Sequence, residues 1–167
     1  MALAQQQNNL LALDQASITS GYAIFKNQKL VEWGKFTFND ESVGERLVKI
    51  RNKVNELIND FEITEVAFED IQLQTGTNNN VQTFKVLAEV YGVILELVHA
   101  KKIKYSIISS NSWKSSLRIK GRARAEQKRN AQQFVLDKYN IKAVQDTCDA
   151  ICIGTHVLNS IGHDWSN

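Results

Sequence analysis

Apolar and polar residues follow two distinct spacings along this chain, and these spacings predict five strands and four long helices. Short apolar runs bounded by turn residues predict strands at 10–14, 20–26, 29–38, 64–69 and 104–109. Apolar residues at helical spacing predict helices over 42–61, 81–102, 122–139 and 145–160. The segment KNQKL predicts a tight hairpin with Asn27 at its turn. The pattern as a whole indicates an α/β protein.

Two polar, glycine-containing segments, 72–80 and 110–121, interrupt this pattern and are predicted to be loops. Each follows a predicted strand, so we expect both loops at a functional edge of the sheet. Strands one, four and five are joined through helices, and helical crossovers of this kind link parallel strands.

The helix predicted over 81–102 carries two apolar stripes instead of one. The first stripe consists of Phe84, Leu87, Tyr91, Ile94, Leu95 and Val98, and the second of Val86, Val90, Val93 and Leu97. One stripe can cover the sheet. The other needs a second partner, which is either a neighbouring helix of the same chain or a second subunit.

Four acidic residues stand where folding can gather them. Asp14 and Glu69 each end an apolar run, so each carboxylate lies where its strand stops, and Asp146 and Asp149 share one face at the start of a predicted helix. Gathered carboxylates repel one another unless a cation neutralises them, and hard divalent ions such as Mg²⁺ prefer oxygen ligands. Two such ions about 4 Å apart can stabilise the attacking and leaving oxygens of a phosphodiester. The pattern therefore predicts a metal-dependent nuclease with these four residues as catalytic metal ligands.

Positive charge is concentrated in one part of the chain, although the formal net charge is only +2. Residues 101–129 contain ten lysines and arginines and a single acid, Glu126. A solvated helix face normally mixes both signs. This stretch therefore favours an anion-binding surface over an ordinary basic face.

The composition is that of a single domain. With 167 residues, 43% of them hydrophobic, the chain can bury a core of its own. Residues 1–8 are interpreted as a flexible tail and 9–162 as the domain. No apolar run approaches the ~18 residues of a membrane span, and the start lacks a secretory signal, so we expect a cytoplasmic protein without membrane partners. Cys148 and Cys152, one helical turn apart, are interpreted as packing residues of a reduced protein, with half of a metal site as the alternative.

Three segments resemble, in order, the motifs of RuvC Holliday-junction resolvases, and most nearly those of bacteriophages: LLALDQASITSGYAIF (10–25), VAFEDI (66–71) and DTCDAICIGTHVL (146–158). The resemblance covers about residues 10–160. It implies an RNase H-like fold, a central five-stranded mixed sheet flanked by helices, with the first and fourth strands as neighbours. It also implies a homodimeric endonuclease that uses Mg²⁺, or Mn²⁺, to nick two strands of a four-way DNA junction in the bacterial host cytoplasm.

The resemblance assigns roles to residues of this chain. It places the metal at Asp14, Glu69, Asp146 and Asp149. Because the long helix forms the dimer interface in this family, it assigns the second stripe, Val86, Val90, Val93 and Leu97, to a second subunit. Together with the basic stretch it predicts DNA contacts at Lys114, Arg118, Lys120, Arg122, Arg124 and Lys128.

The chain departs from the family pattern at two places. Bacterial relatives carry an aromatic residue three positions after the catalytic glutamate, where this chain has Gln72, followed by Leu73 and Gln74. Relatives read A-E-K in the basic region, whereas this chain reads A-E-Q-K, which displaces Lys128 by one position. We therefore expect recognition of branched shape, including three-way and flap structures, with little sequence requirement.

Other functions remain open at this point. One is a module that binds branched DNA without cutting it, and another is an RNase H-like nuclease for flaps or RNA–DNA hybrids. The first motif also resembles the phosphate-binding hairpin of sugar-kinase and actin-like ATPases, but those need two lobes and over twice this length.

Several single residues allow two interpretations. Taken alone, an acid after a strand or at a helix start is a turn or capping residue. His156 lies two turns beyond Asp149, about 10 Å along the helix, so it is structural or faces phosphate instead of sharing the ion. Asp70 either supports the site or points away from it, and Trp113 either stacks on a base or packs beneath the basic loop. Binding phosphate and forming turns are equally open for Ser17, Thr19 and Ser20.

Overall fold

The computed structural model of the chain describes residues 6–72 and 80–163. Most of the predicted tail, residues 1–5, lies outside these ranges. Most of the first polar loop, including Leu73 and Gln74, also lies outside them. Within the described ranges, none of the helices is both long and apolar enough to cross a bilayer.

A five-stranded mixed sheet in the order β3-β2-β1-β4-β5 forms the centre of the described structure. The elements are β1 (Asn9–Asp14), β2 (Thr19–Lys26), β3 (Lys29–Thr37), α1 (Val43–Asp60), β4 (Glu65–Glu69), α2 (Asn80–Ala100), β5 (Lys104–Ile108), α3 (Ser110–Ser116), α4 (Arg124–Tyr139) and α5 (Gln145–His163). Strand β2 is antiparallel to both neighbours, whereas β1, β4 and β5 are mutually parallel. The predicted fold class, strand directions and β1–β4 neighbourhood are confirmed.

Local sequence explains the first elements. Asn27 and Gln28 both adopt positive φ, of 49° and 70°, and close β2 and β3 with a two-residue turn whose twist matches the strands. Helix α1 begins after Ser42, whose side chain accepts a hydrogen bond from the backbone N–H of Glu45 at 3.4 Å.

The sheet separates two hydrophobic cores. Leu10 and Ala12 of β1 face the core formed with α3, α4 and α5, whereas Leu11 and Leu13 face the core formed with α1 and α2. Since both faces of β1 are covered, its sequence is a continuous apolar run and does not alternate. Cys148 and Cys152 are buried free cysteines in the first core, and burial raises the pKa of Cys148 to about 11. The packing interpretation of the two cysteines is confirmed.

The second polar segment is not a loop throughout. Residues Ser110–Ser116 form helix α3, which the sequence prediction missed. Ser109 caps it by accepting a hydrogen bond from the N–H of Ser112 at 3.1 Å, and the buried side chain of Trp113 anchors it. Seven residues rich in serine are too short to show a helical period, which is why the pattern resembled a loop.

The predicted dimer stripe on α2 is wrong for two of its four residues. Val90 and Leu97 are 0% and 1% exposed, and both belong to the core that α2 forms with α1 and the sheet. Val86 and Val93 are half-buried. The buried face of α2 lies between the two apolar stripes, because packing against both α1 and the sheet needs a wide apolar face.

Candidate active site

The ends of two parallel strands place the first two carboxylates side by side. Leu13 of β1 is in register with Phe68 of β4, so Asp14 and Glu69 are the next residues on neighbouring strands about 4.8 Å apart. Alternation along the strands turns both side chains to the same face as Ala12 and Ala67, which is the face covered by α5.

Helix α5 brings the other two carboxylates to the same place. Its first turn packs on β2 and β3, where the Thr147 hydroxyl donates a hydrogen bond to the Gly34 carbonyl at 3.0 Å. Gly21 of β2, opposite Asp14, permits this approach because it has no side chain. Asp146 and Asp149 therefore lie near the start of α5, directly above the ends of β1 and β4.

All four predicted carboxylates line one cleft of about 610 Å³. Its basic lining residues are Lys114 from α3 and Arg124 and Lys128 from α4, and the exposed side chain of Gln72 also borders it. The other three predicted DNA contacts, Arg118, Lys120 and Arg122, are exposed on the α3–α4 connection and do not line this cleft. The structure therefore joins the predicted acids to half of the predicted DNA-binding residues.

The fold places three other lysines of the basic stretch away from the cleft. Lys101 and Lys102 lie between α2 and β5, and Lys104 begins β5, at the end of the sheet opposite Glu69. Lys104 lies 3.9 Å from Glu65, and Lys101 donates a hydrogen bond to the side chain of Asn59 at 2.9 Å. These three lysines therefore do not contribute to the cleft.

Burial and nearby negative charges raise the pKa of three of the carboxylates, Asp14, Glu69 and Asp149. Burial, followed by the charges of Asp149, Glu69 and Asp146, raises the pKa of Asp14 well above its ordinary value. Burial and the charge of Glu69 raise the pKa of Asp149 to about 6. Burial also raises the pKa of Glu69, although the Trp113 hydrogen bond and the charges of Lys114 and Arg124 oppose this shift. The site is thus a set of anions that protein cations neutralise only in part.

The donor chemistry of this site fits a hard divalent cation. Its converging groups are carboxylate oxygens, which Mg²⁺ and Mn²⁺ prefer, and the raised pKa values of Asp14 and Asp149 show that a nearby positive charge would stabilise their ionised forms. As they stand, however, no three His, Cys, Asp or Glu side chains in the described ranges lie close enough together to hold one ion. Holding one ion with three or more of these carboxylates would therefore require them to draw closer.

Two residues that the sequence analysis did not connect with Glu69 contact it directly. The indole N–H of Trp113 donates to Glu69 Oε2 at 2.9 Å, and the carboxamide of Gln15 makes two hydrogen bonds with the Glu69 backbone. Trp113 is 1% exposed, so its ring packs in the core and is not available for stacking on a base. In the sequence, the only sign of this role was the position of Gln15, a polar residue directly after the acid that ends β1.

The remaining candidate residues form hydrogen bonds within the chain. The Ser20 hydroxyl contacts both the N–H and the carbonyl of Ala16 and closes the β1–β2 turn. His156 contacts the Ser116 hydroxyl, and burial lowers its pKa, which favours the uncharged ring. Asp70 accepts a hydrogen bond from the N–H of Ile71 at the cleft border. Ser17 accepts one from Arg46, and the hydroxyls of Thr19 and Thr37 contact each other.

Comparison with known proteins agrees with this geometry. The family profile for crossover junction endodeoxyribonuclease RuvC matches residues 10–156. The RuvC of Ehrlichia canis is 29% identical over 149 residues, which covers 87% of this chain and 92% of that protein.

Solved structures show the same fold. The structure of T. thermophilus RuvC in complex with Holliday junction substrate has a TM-score of 0.70 at 15% identity and covers 93% of this chain and 96% of that one. The yeast mitochondrial Holliday junction resolvase Ydc2 has a TM-score of 0.60 at 14% identity, with 93% and 79% covered. The profile match spans most of the chain and includes all four carboxylates of the cleft: the chain belongs to the RuvC family of crossover junction endodeoxyribonucleases.

Proposed function

We propose that this chain is a structure-selective endonuclease that nicks branched DNA, chiefly Holliday junctions, by metal-dependent phosphodiester hydrolysis. One observation carries the proposal. Carboxylates from β1, β4 and α5 line a single cleft whose basic side chains come from α3 and α4. A cleft with both charges can bind a phosphodiester and the cations needed to cleave it.

In this proposal the four carboxylates, Asp14, Glu69, Asp146 and Asp149, hold Mg²⁺, with Mn²⁺ as an effective substitute. Ions held there would supply an activated water and would stabilise the charge of the leaving oxygen. The protein contributes the rigid placement of Asp14 and Glu69 on adjacent strands, and the helical spacing that directs Asp146 and Asp149 at the same point.

The basic residues have two different tasks. Lys114, Arg124 and Lys128 line the cleft, so they can bind the phosphate to be cut and its neighbours. Arg118, Lys120 and Arg122 are exposed beyond it and can bind phosphates farther along the arms. Contacts to phosphates, in the cleft or beyond it, carry no information about the base sequence. They favour DNA whose shape brings several strands together.

Gln72 supports relaxed sequence preference. It is exposed at the cleft border, at the position where bacterial relatives carry an aromatic residue. A carboxamide cannot provide the stacking surface of an aromatic ring at an opened crossover. We therefore expect three-way and flap structures to be cut as well, with a weak or absent consensus.

A homodimer is part of this proposal, on a revised surface. Val90 and Leu97 belong to the protomer's own core, but Val86 and Val93 are half-buried on the flank of α2. Val81, in the first turn of α2, is 74% exposed, and Ile18, which is 49% exposed, lines a shallow groove together with Val86. Two sites related by a two-fold axis would suit a junction with two equivalent strands to cut.

Side-by-side nicking of four-way, three-way, flap and RNA–DNA hybrid substrates tests the function. The wild-type protein should cut the four-way junction with Mg²⁺, whereas Asp14→Asn and Glu69→Gln should bind it with at least wild-type affinity and not cut it. Removing a negative charge beside a phosphate explains the retained binding. Junction binding without cleavage by the wild type would favour the non-cleaving module, and faster cleavage of hybrids would favour an RNase H-like substrate choice.

A further inference from the structure

The backbone of Glu69 faces a gap in the sheet. The backbone N–H of Asp70 donates a hydrogen bond to the carbonyl of Ile108 in β5. Because the backbone groups of successive strand residues point to opposite sides, the N–H and C=O of Glu69 point toward β1. The β1–β4 register ends at Leu13 and Phe68, and after Asp14 the chain turns away toward β2. The backbone pairing of β1 with β4 therefore stops one residue before Glu69.

The side chain of Gln15 fills this gap. Its Nε2 donates to the Glu69 carbonyl at 2.6 Å, and its Oε1 accepts from the Glu69 N–H at 3.1 Å. A carboxamide has the same donor and acceptor as a peptide group, so Gln15 extends the β1–β4 ladder by one rung. Gln15 as a whole residue is 8% exposed, so these bonds are largely shielded from water and their loss would leave buried polar groups unpaired.

Trp113 acts on the other part of the same residue. Its indole N–H donates to Glu69 Oε2 at 2.9 Å, and the ring is fixed in the core beneath α3. An indole N–H has one direction and cannot accept a hydrogen bond, so it favours one orientation of the carboxylate. The backbone and the side chain of Glu69 are therefore held by two independent contacts.

We propose that Gln15 and Trp113 are positioning residues of the active site: Gln15 fixes the main chain of Glu69 beside Asp14, and Trp113 fixes the direction of the Glu69 carboxylate. The inference rests on the proposed function for its catalytic consequence. Groups that orient metal ligands typically change metal affinity or activity by about 10–100-fold when they are removed.

Two variants that keep the apolar part of each side chain, together with a core control, separate these contacts from packing. Gln15→Met retains the length of the side chain and removes both hydrogen bonds, and Trp113→Phe retains an aromatic ring in the core and removes the N–H. Val135→Ala is the control, because Val135 is buried in the same core cluster as Trp113 and its side chain cannot hydrogen-bond. Circular dichroism and thermal melting establish that each protein is folded at the temperature of the assay.

The primary measurement is Mn²⁺ binding by isothermal titration calorimetry without DNA, and the second is the kcat and KM of junction cleavage. We expect Gln15→Met and Trp113→Phe each to weaken Mn²⁺ binding and lower kcat by about 10-fold or more, with KM unchanged, while Val135→Ala retains wild-type values. Wild-type Mn²⁺ affinity in either variant would remove that residue from the proposal.

Two further outcomes would overturn the inference entirely. One is an equal loss of affinity in Val135→Ala, which would show that general loosening of the core is responsible. The other is a wild-type protein that binds no Mn²⁺. If the wild type binds Mn²⁺ but cuts no branched DNA, the proposed function fails, while the calorimetric comparison still decides whether Gln15 and Trp113 position Glu69.

Discussion

The backbone of Asp146 occupies the space that a side chain at Gly21 would need. A Cβ added to Gly21 would lie 1.9 Å from the Asp146 carbonyl oxygen and 2.8 Å from the Thr147 nitrogen. Both contacts are backbone atoms, which cannot move aside without shifting α5. The glycine of β2 therefore sets the distance between the sheet, which carries Asp14 and Glu69, and the helix that carries Asp146 and Asp149.

Gly21→Ala should separate the two halves of the cleft. Forcing a methyl group into a closed contact typically costs about 1–3 kcal/mol, and the displaced helix start would move two of the four carboxylates. We expect lower stability in urea unfolding and loss of junction cleavage. Gly92→Ala is the matched control, because nothing lies within 4 Å of a Cβ there; as an alanine inside a helix it should stabilise by about 0.5–1 kcal/mol. Normal activity in Gly21→Ala would show that the helix can be displaced without harm.

The same contact shows what sequence patterns can and cannot predict here. The carboxylates were predictable because Asp14 and Glu69 end apolar strands, and because two acids three apart share a helix face. The reason for the glycine was not predictable, since a contact between residues 125 positions apart depends on the packed fold.

Helix α2 shows a second limit of sequence patterns. The two stripes on α2 were visible, but periodicity could not show that α1 and the sheet together cover the face centred between them, which buries Val90 and Leu97. Local spacing thus predicts elements and their faces, whereas the choice of partner for each face is a tertiary property.

Asp149 should destabilise the metal-free protein at neutral pH. Burial and the charge of Glu69 raise its pKa to about 6 from an ordinary 3.8, so the folded protein retains a proton that the unfolded chain releases between these values. Stability therefore falls as the pH rises from about 4 to about 6 and stays lower above it. Asp149→Asn, which cannot ionise, should be more stable than wild type by roughly 1–3 kcal/mol near pH 7.5, and this difference should shrink toward pH 4.

Urea unfolding in excess chelator across this pH range measures the effect. Asp137→Asn is the control, because Asp137 is exposed on α4, and surface substitutions usually change stability by less than about 0.5 kcal/mol. A variant less stable than wild type near neutral pH would mean that the Gln145 hydrogen bond to Asp149, at 3.5 Å, outweighs the cost of burial and repulsion.

Substitutions on α2 should distinguish the dimer surface from the core. Val86 and Val93 are half-buried on the flank of the helix, so Val86→Asp combined with Val93→Asp should give folded monomers in light scattering, with a normal circular dichroism spectrum. Val90→Asp should instead unfold the protein, because it buries a charge in the core between α1, α2 and the sheet. A folded dimer of the double variant would place the two-fold contact on another surface.

Substitutions of the lysines and arginines in the basic stretch should affect binding and cleavage differently, according to the distance of each residue from the carboxylates. Lys120 is exposed beyond the cleft, so Lys120→Ala should weaken junction binding similarly for every junction sequence and reduce the salt dependence by about one charge, with kcat unchanged. Lys101, at the opposite end of the sheet, provides the control, and Lys101→Ala should change neither quantity.

Lys114 should have a further effect on the chemical step. It lines the cleft, where its charge opposes the raised pKa values of Asp14, Glu69 and Asp149. Its Nζ also donates to Gln127 at 3.2 Å and lies over the Trp113 ring, so its position is fixed beside the acids. Lys114→Ala should therefore lower kcat as well as affinity, because the loss of this cation increases repulsion among the carboxylates while also removing a phosphate contact. Single-turnover cleavage at saturating protein, measured on junctions of several sequences, separates the two effects: a normal rate at saturation would reduce Lys114 to a simple phosphate contact, and a loss confined to one junction sequence would show that it reads bases.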